Sequence, residues 1–233
     1  MEFKLNKTKV MRNLFIAVAF LLAGHILAIY LRLNTSGMSE KVPRLIIKLF
    51  NFNMEANLPT YFSSLILLAD GILLALIGSS YKNTGGKYLH WLGLSFVFVF
   101  LALDEMIQIH EQFTAPIRNL FNLTGVLYYA WFIPYVFVLI ILAIAYFKFM
   151  MRLPKHILKL FILAGFLFVF GAVIIEAMSG LYYEKYGVYS HTYYLMVTFE
   201  ELLEMSGSVI FLYALLHYIS DSFKYFELKF EKK

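Results

Sequence analysis

The chain has 233 residues, of which 61% are hydrophobic and 15% charged, and its formal net charge at pH 7 is +5. Soluble domains contain roughly 45–50% apolar and about 25% charged residues, so this composition excludes an ordinary soluble fold and a disordered chain. The sequence has no Cys, which excludes disulfides, thiolate metal sites and cysteine nucleophiles. No patch of basic and aromatic residues predicts nucleic-acid binding.

Long apolar runs dominate the sequence, and a run of about 20 apolar residues predicts a membrane-spanning helix. About six such runs predict an all-α, polytopic integral membrane helix bundle that forms one domain over residues 1–233. Their approximate bounds are 14–33, 60–80, 88–111, 126–150, 155–178 and 192–218. Pro134 is predicted to interrupt the fourth span. The basic start of the chain resembles a signal peptide, but the apolar run that follows is too long and predicts a retained helix.

Basic residues predict the orientation. Most of the 20 Lys and Arg residues lie on the side of the spans that carries both termini. Cytoplasmic loops are enriched in Lys and Arg, so both termini are predicted to be cytoplasmic and the protein to be a multi-pass cell-membrane protein. Aromatic residues crowd the outer boundary, where an aromatic belt is expected. They are Tyr128, Tyr129, Trp131, Tyr182, Tyr183, Tyr186, Tyr193 and Tyr194.

The longest loop, over about residues 34–59, is predicted to lie on the outer side. Arg44, Lys48, Asn51 and Glu55 recur at intervals of three or four residues between apolar ones. This pattern predicts an amphipathic helix over about 43–56 that lies at the outer membrane interface. Two interpretations stay open: a connector that caps the bundle, or a lid or lipid-entry gate over a site beneath it.

Acidic side chains inside the spans carry the functional argument. A charged residue at the centre of a membrane helix costs roughly 2.5–3.5 kcal/mol on insertion scales. No Lys or Arg lies near these acids inside the same helical segments, so an internal network of salt bridges does not account for them. Close carboxylates in a low dielectric take up protons or bind cations. The predicted site residues are Asp104, Glu105, His110 and Glu111 in the third span, Glu176 in the fifth, and Glu200, Glu201 and Glu204 in the sixth.

Helical rotation of about 100° per residue groups these acids into stripes. In a continuous third span, Asp104 and Glu111 share a stripe with Gln108, whereas Glu105 and His110 lie off it. Glu200, Glu204 and Ser208 form the stripe of the sixth span. The predicted metal ligands are Asp104, Glu111, Glu200, Glu201 and Glu204, and the predicted acid–base groups or further ligands are Glu176, Glu105 and His110.

Carboxylate oxygens with one imidazole suit divalent Fe, Mn, Zn, Mg or Ca. Glu201-x-x-Glu204 and Asp104…His110-Glu111 resemble a variant of the sites of di-iron and di-manganese bundle proteins, although Glu-x-x-His pairs are absent. The segment from Asp104-Glu105 to His110-Glu111, with Glu200-Glu201-x-x-Glu204, also resembles uncharacterised bacterial multi-span membrane proteins. That resemblance implies no known activity.

Three functions are compatible with these residues. The leading prediction is a metal-dependent membrane enzyme, a hydrolase or an oxidoreductase, that acts on a lipid or another apolar small molecule. The alternative is a proton- or cation-coupled transporter that uses the same acids. A scaffold or binding protein with protonated acids is the third.

Other ionisable residues have simpler predicted roles. His25 is predicted to hydrogen-bond between helices, and Asp70 either to do the same or to extend a proton path. His90, His156 and His217 are predicted to lie at the inner interface. The sequence predicts no oligomeric state.

Overall fold

A computed structural model describes residues 6–34, 41–188 and 190–223. Within these residues the chain is helical and contains no strand, which confirms the all-α membrane bundle. Six helical stretches are long and apolar enough to cross a membrane. The helices are α1 (Lys7–Asn34), α2 (Lys41–Phe50), α3 (Leu58–Asn83), α4 (Leu89–Ile107), α5 (Ile109–Phe121), α6 (Phe132–Met150), α7 (Lys155–Val169), α8 (Glu176–Tyr186) and α9 (His191–Ser222), with a π-helical segment (Phe170–Ile175) joining α7 to α8.

The bundle has two ends, which we name by their residues. The terminal end carries the first residue of α1, Lys7, and the last residue of α9, Ser222; the loop end carries α2, α5 and the α8–α9 connection. The basic residues predict that the terminal end is cytoplasmic. A buried cluster fixes the helices at this end. It includes Leu74, Ile77, Trp91, Ile157, Ala214 and Leu215.

Glycines allow the closest helix approaches. A Cβ atom at Gly207 of α9 would lie 2.8 Å from the Ala164 carbonyl oxygen of α7. A Cβ atom at Gly71 of α3 would lie 2.8 Å from Val99 of α4, and the Ser95 hydroxyl donates to the Gly71 carbonyl at 2.7 Å. Small residues and interhelical hydrogen bonds are typical of helix packing in membranes. The pairs α3–α4 and α7–α9 therefore form the frame of the bundle.

The third span is shorter than the sequence predicts. α4 ends at Ile107, and Gln108 has a left-handed backbone with φ of 58° before α5 begins at Ile109. Asp104 Oδ1 accepts the backbone N–H of His110 at 2.7 Å, which satisfies a free donor in the first turn of α5. The predicted stripe of Asp104, Gln108 and Glu111 on one helix is therefore wrong. α5 is a separate helix that the sequence analysis did not predict.

The helix predicted over about 43–56 also has different bounds. α2 spans Lys41–Phe50, and residues 51–57 form a turn that leads into α3. The Asn57 side chain accepts the Thr60 N–H at 3.1 Å and donates to the Asn51 carbonyl at 2.8 Å. Asn57 is thus the N-cap of α3, with Pro59 in its first turn. Glu55, which was predicted to lie in the amphipathic helix, consequently lies outside α2, in the turn before α3.

The remaining spans differ at their ends. The fourth begins at Phe132, and Pro134 lies in the first turn of α6, where a missing N–H is tolerated. Pro134 therefore does not interrupt the span. The fifth span continues through the π-helical segment into α8 and ends at Tyr186.

Candidate intramembrane acidic site

A cavity of about 880 Å³ lies in the loop-end half of the bundle. Its walls come from the turn before α3, from α3 to α9, and from the π-helical segment between α7 and α8. All of the predicted site residues line it: Asp104, Glu105, His110, Glu111, Glu176, Glu200, Glu201 and Glu204. Glu55 lines the same cavity. The residues that the sequence distributes over three spans therefore lie around one space, whereas their chemical roles stay predictions.

Asp104 and His110 form a pair at the junction of α4 and α5. The Asp104 side chain is buried, and its Oδ1 lies 3.2 Å from His110 Nδ1. Burial lowers the pKa of His110, but the hydrogen bond and charge of Asp104, together with the charges of Glu176 and Glu105, outweigh it and raise the pKa to about 9. His110 is therefore an imidazolium at neutral pH. The expectation that His110 lies off the stripe of Asp104 is wrong. The break at Gln108 changes the direction of the chain and brings the His110 ring back to the Asp104 carboxylate.

Glu176 occupies the wall formed by the π-helical segment. Its Oε1 accepts the indole N–H of Trp131 at 2.7 Å, and the Trp131 ring lies 4.8 Å from the His110 ring. A π-helical segment inserts an extra residue into a helix and is frequent at functional sites. Here it ends at Ile175, directly before Glu176. Trp131 thus contacts two of the predicted acid–base groups, Glu176 through its indole N–H and His110 through its ring.

Glu200, Glu201 and Glu204 come from one turn of α9. A Cβ atom at Gly171 of the π-helical segment would lie 2.9 Å from the Glu200 carbonyl oxygen and 3.1 Å from Glu204 Cγ. The absence of a side chain at Gly171 therefore lets the two backbones meet beside these acids. Glu200 Oε2 is buried and has no hydrogen-bond partner among the residues that the structure describes. A buried carboxylate oxygen without a partner is costly, because it has lost its hydration without gaining a hydrogen bond.

Acidic side chains dominate the charge of the cavity lining. Its lining contains no Lys or Arg, and the acids act on one another: Glu204 on Glu201 and Glu200, and Glu105 on Glu55. Burial, and then the charge of Glu111, raise the pKa of Glu55 above its usual value. His110 is the one group in this lining that offsets the acids with a positive charge. The lining therefore favours protons or cations.

The opposite wall of the cavity is apolar. At the terminal end, α4 and α6 meet where a Cβ atom at Gly93 would touch the Tyr146 hydroxyl and where His90 stacks on Phe149. Towards the loop end the same helices line the cavity with side chains that are exposed or half-exposed on the bundle surface. These include Phe96, Phe100, Val138, Leu139 and Leu142. In a membrane this surface faces lipid.

Several residues of the site were not predicted. Trp131 and Tyr193 line the cavity. Both are buried, as is Tyr194 outside the lining, so the prediction of a lipid-facing aromatic belt is wrong for these three side chains. The Tyr193 hydroxyl donates to Asn53 Oδ1 at 2.6 Å, and the Tyr129 hydroxyl lies 3.2 Å from the Tyr193 hydroxyl. Asn57 followed by Pro59 is a helix-start pattern, and it is the signal that could have placed Glu55 in the turn before α3 and not in the amphipathic helix. No comparable signal distinguishes a buried Tyr from a belt Tyr.

His25 lies beside this region and has the predicted interhelical role. Its Nδ1 accepts the Phe52 N–H at 3.0 Å, so its Nε2 carries the proton and donates to the Thr198 hydroxyl at 3.0 Å. Thr198 in turn donates to the Tyr194 carbonyl at 2.6 Å. The interhelical hydrogen bond of His25 is therefore confirmed.

The cavity acids do not converge as closely as bound ligands do. Among the described residues, the group of potential metal ligands whose atoms all lie within 4.8 Å of one another is His156, His217 and Asp221, at the terminal end. In the arrangement seen, a metal in the cavity requires the carboxylates to rotate towards a common point.

The fold and its spans define a polytopic α-helical membrane protein. The chain belongs to the family described as Domain of unknown function (DUF8692), which matches residues 13–219. No curated protein and no solved structure matches the chain. The family match agrees with the resemblance to an uncharacterised family; the bacterial source and the acidic motifs of that resemblance stay predictions.

Proposed function

We propose that the protein is a metal-dependent membrane enzyme that acts on a lipid or another apolar substrate. One observation carries the proposal: a single cavity joins a wall of carboxylates to an apolar wall on the lipid-facing surface. Its volume of about 880 Å³ lies in the range of roughly 300–1,000 Å³ that is typical of small-molecule sites. Such a cavity accommodates a polar group beside the acids and an apolar chain between α4 and α6.

The metal ligands in this proposal are Asp104, Glu111, Glu200, Glu201 and Glu204. The donor chemistry fits, because the cavity is rich in carboxylate oxygen, lacks Lys and Arg, and contains an unpartnered Glu200 Oε2. A bound divalent ion supplies Lewis-acid activation of a water or of a substrate oxygen. The metal candidates are Fe, Mn, Zn, Mg and Ca; a redox-active metal favours an oxidoreductase, and the others favour a hydrolase.

The other groups have roles that follow from their contacts. His110 holds a proton at neutral pH and can donate it to a leaving group, while Asp104 orients its ring. Trp131 fixes the Glu176 carboxylate through the indole N–H and leaves Glu176 Oε2 for a proton or a ligand. Glu105 lies beside this pair in the cavity lining.

Thermal stability with added metal tests this proposal. Mn²⁺ or Zn²⁺ should raise the Tm of detergent-purified protein, because a ligand that binds only the folded state stabilises it. Glu204→Gln and Asp104→Asn should each reduce that rise, since each replaces an anionic ligand by a neutral one. The double variant should lose less than the sum of the two. Glu184→Gln, whose side chain does not line the cavity, is the control. A wild-type Tm that ignores both metals would overturn the proposal.

One observation favours a second candidate, a proton- or cation-coupled transporter. Asp70 of α3 is fully buried, and within the described part of the chain neither of its carboxyl oxygens has a hydrogen-bond partner. An isolated carboxyl inside a membrane helix is expensive and typical of ion and proton paths. Liposome flux driven by a proton or sodium gradient, abolished in Asp70→Asn, would support this candidate. Flux that is absent from the wild type would exclude it.

A further inference from the structure

A second group of ligand side chains lies at the terminal end, far along α9 from the acidic cavity. His156 is in the first turn of α7, and His217 and Asp221 are four residues apart in the last turns of α9. His156 Nε2 lies 2.8 Å and His217 Nδ1 lies 3.1 Å from the same oxygen, Asp221 Oδ2. Two imidazoles from different helices thus converge on one carboxylate.

The backbone beneath this group is held in place. Ile157 follows His156, and Ala214 and Leu215 precede His217 by a turn or less; all three are fully buried in one cluster. Tyr218 also belongs to this cluster, and its hydroxyl lies 2.6 Å from that of Tyr81. The three ligand side chains therefore project from a rigid base, which lowers the entropic penalty for ordering them around an ion.

We infer that His156, His217 and Asp221 form a site for a borderline divalent transition metal, with Zn²⁺ as the reference ion. Imidazole nitrogen and carboxylate oxygen are ligands that Zn²⁺, Co²⁺ and Ni²⁺ accept. Tetrahedral ligands at about 2.1 Å from zinc are about 3.4 Å apart. The three ligand atoms lie within 4.8 Å of one another, so small side-chain rotations place them at that spacing.

The surroundings leave room for further ligands. His156 and Asp221 are exposed and His217 is half-buried, so water or a soluble ligand can complete the coordination. Lys7 at the start of α1 also acts electrostatically on Asp221. Its positive charge lowers the affinity of the site for a cation, but the two imidazoles and the carboxylate remain as ligands. A metal here links the first turn of α7 to the end of α9. Since both helices line the acidic cavity, the site fixes two of its walls from the opposite end of the bundle.

Titration with Co²⁺ tests the site, because cobalt bound by two imidazoles and a carboxylate in tetrahedral geometry absorbs visible light. Chelator-treated wild-type protein in detergent should bind about one equivalent with this spectrum, and Zn²⁺ should displace it. His156→Gln and Asp221→Asn should weaken Co²⁺ binding at this site by about tenfold or more, because each removes one of three ligands. The changed residues are exposed, so folding should be retained.

Two controls separate this site from other binding. His191→Gln alters an exposed His at the loop end and should leave the cobalt spectrum unchanged. Glu204→Gln alters the acidic cavity and should also leave it unchanged, so failure of the proposed function does not affect this result. A wild-type spectrum without tetrahedral cobalt bands, or equal affinity in wild type, His156→Gln and Asp221→Asn, would show that the three side chains form only a hydrogen-bonded cluster and would overturn the inference.

Discussion

Replacing Gly171 by Ala should push the π-helical segment away from α9 beside the acidic cavity. The new Cβ atom would lie 2.9 Å from the Glu200 carbonyl oxygen, 3.1 Å from Glu204 Cγ and 3.2 Å from Leu203 Cβ. Carbon–oxygen contacts between helices are about 3.3–3.6 Å, so the two backbones must separate by about 0.4 Å. The nearest of these atoms, the Glu200 carbonyl oxygen, belongs to the backbone and cannot rotate away. The strain therefore falls on the backbone of α9.

The expected effect is a net loss of stability. Overpacking costs typically about 1–3 kcal/mol, and the better helix propensity of Ala returns up to about 1 kcal/mol. A net loss of about 1–2 kcal/mol corresponds to a Tm about 2–8 °C lower for a chain of this size. Thermal denaturation in detergent, without added metal, measures it.

Gly165→Ala is the matched control on α7. A Cβ atom at Gly165 would meet nothing within 4 Å, so this change keeps only the gain in propensity and should raise the Tm slightly. If Gly171→Ala were as stable as Gly165→Ala, the close approach of the π-helical segment to Glu200 and Glu204 would be refuted.

Three further predictions concern the cap, the histidine and the orientation. Asn57→Ala removes the cap of α3 and its tie to Asn51, so the free energy of unfolding should fall by about 1–2 kcal/mol in thermal denaturation; an unchanged Tm would contradict the cap. The pKa of His110 is raised from 6.5 to about 9, so its stabilising effect is full below pH 6.5 and is lost as the pH rises through about 9. Between these values the metal-free wild type should lose about 1–3 kcal/mol more than His110→Gln, and parallel pH profiles of Tm would refute the ion pair. A reporter fused after Lys233 should be cytoplasmic and one inserted at Gly187 external; the reverse result would invert the orientation.

The sequence predicts the class of fold well, because each membrane span must satisfy its own backbone and bury a long apolar run. That constraint is local, and it produces apolar runs that can be recognised in the amino-acid sequence. The ends of the spans are less predictable, because they depend on contacts between residues that the pattern does not pair. The break at Gln108 is an example: the Asp104 side chain accepts a backbone N–H from the following helix.

The composition of the cavity was partly predictable for a physical reason. Acids inside apolar spans are rare enough to stand out, so Asp104, Glu176, Glu200 and Glu204 could be selected without a structure. Glu55 lies in a loop, where an acid is unremarkable on sequence grounds, and only the turn capped by Asn57 brings it into the cavity. The π-helical segment leaves no mark in the hydropathy pattern, since it changes the hydrogen bonding and keeps the residues apolar.

The position of a bound metal shows whether the cavity acids are ligands. Crystals grown with Mn²⁺ and measured at a wavelength where manganese scatters anomalously would show the position of the ion. We expect an anomalous peak in the cavity, about 2.0–2.4 Å from carboxylate oxygens of α9 and of the α4–α5 junction, including those of Glu204 and Asp104. A cavity without such a peak, at a Mn²⁺ concentration far above that of the protein, would contradict the metal-dependent enzyme.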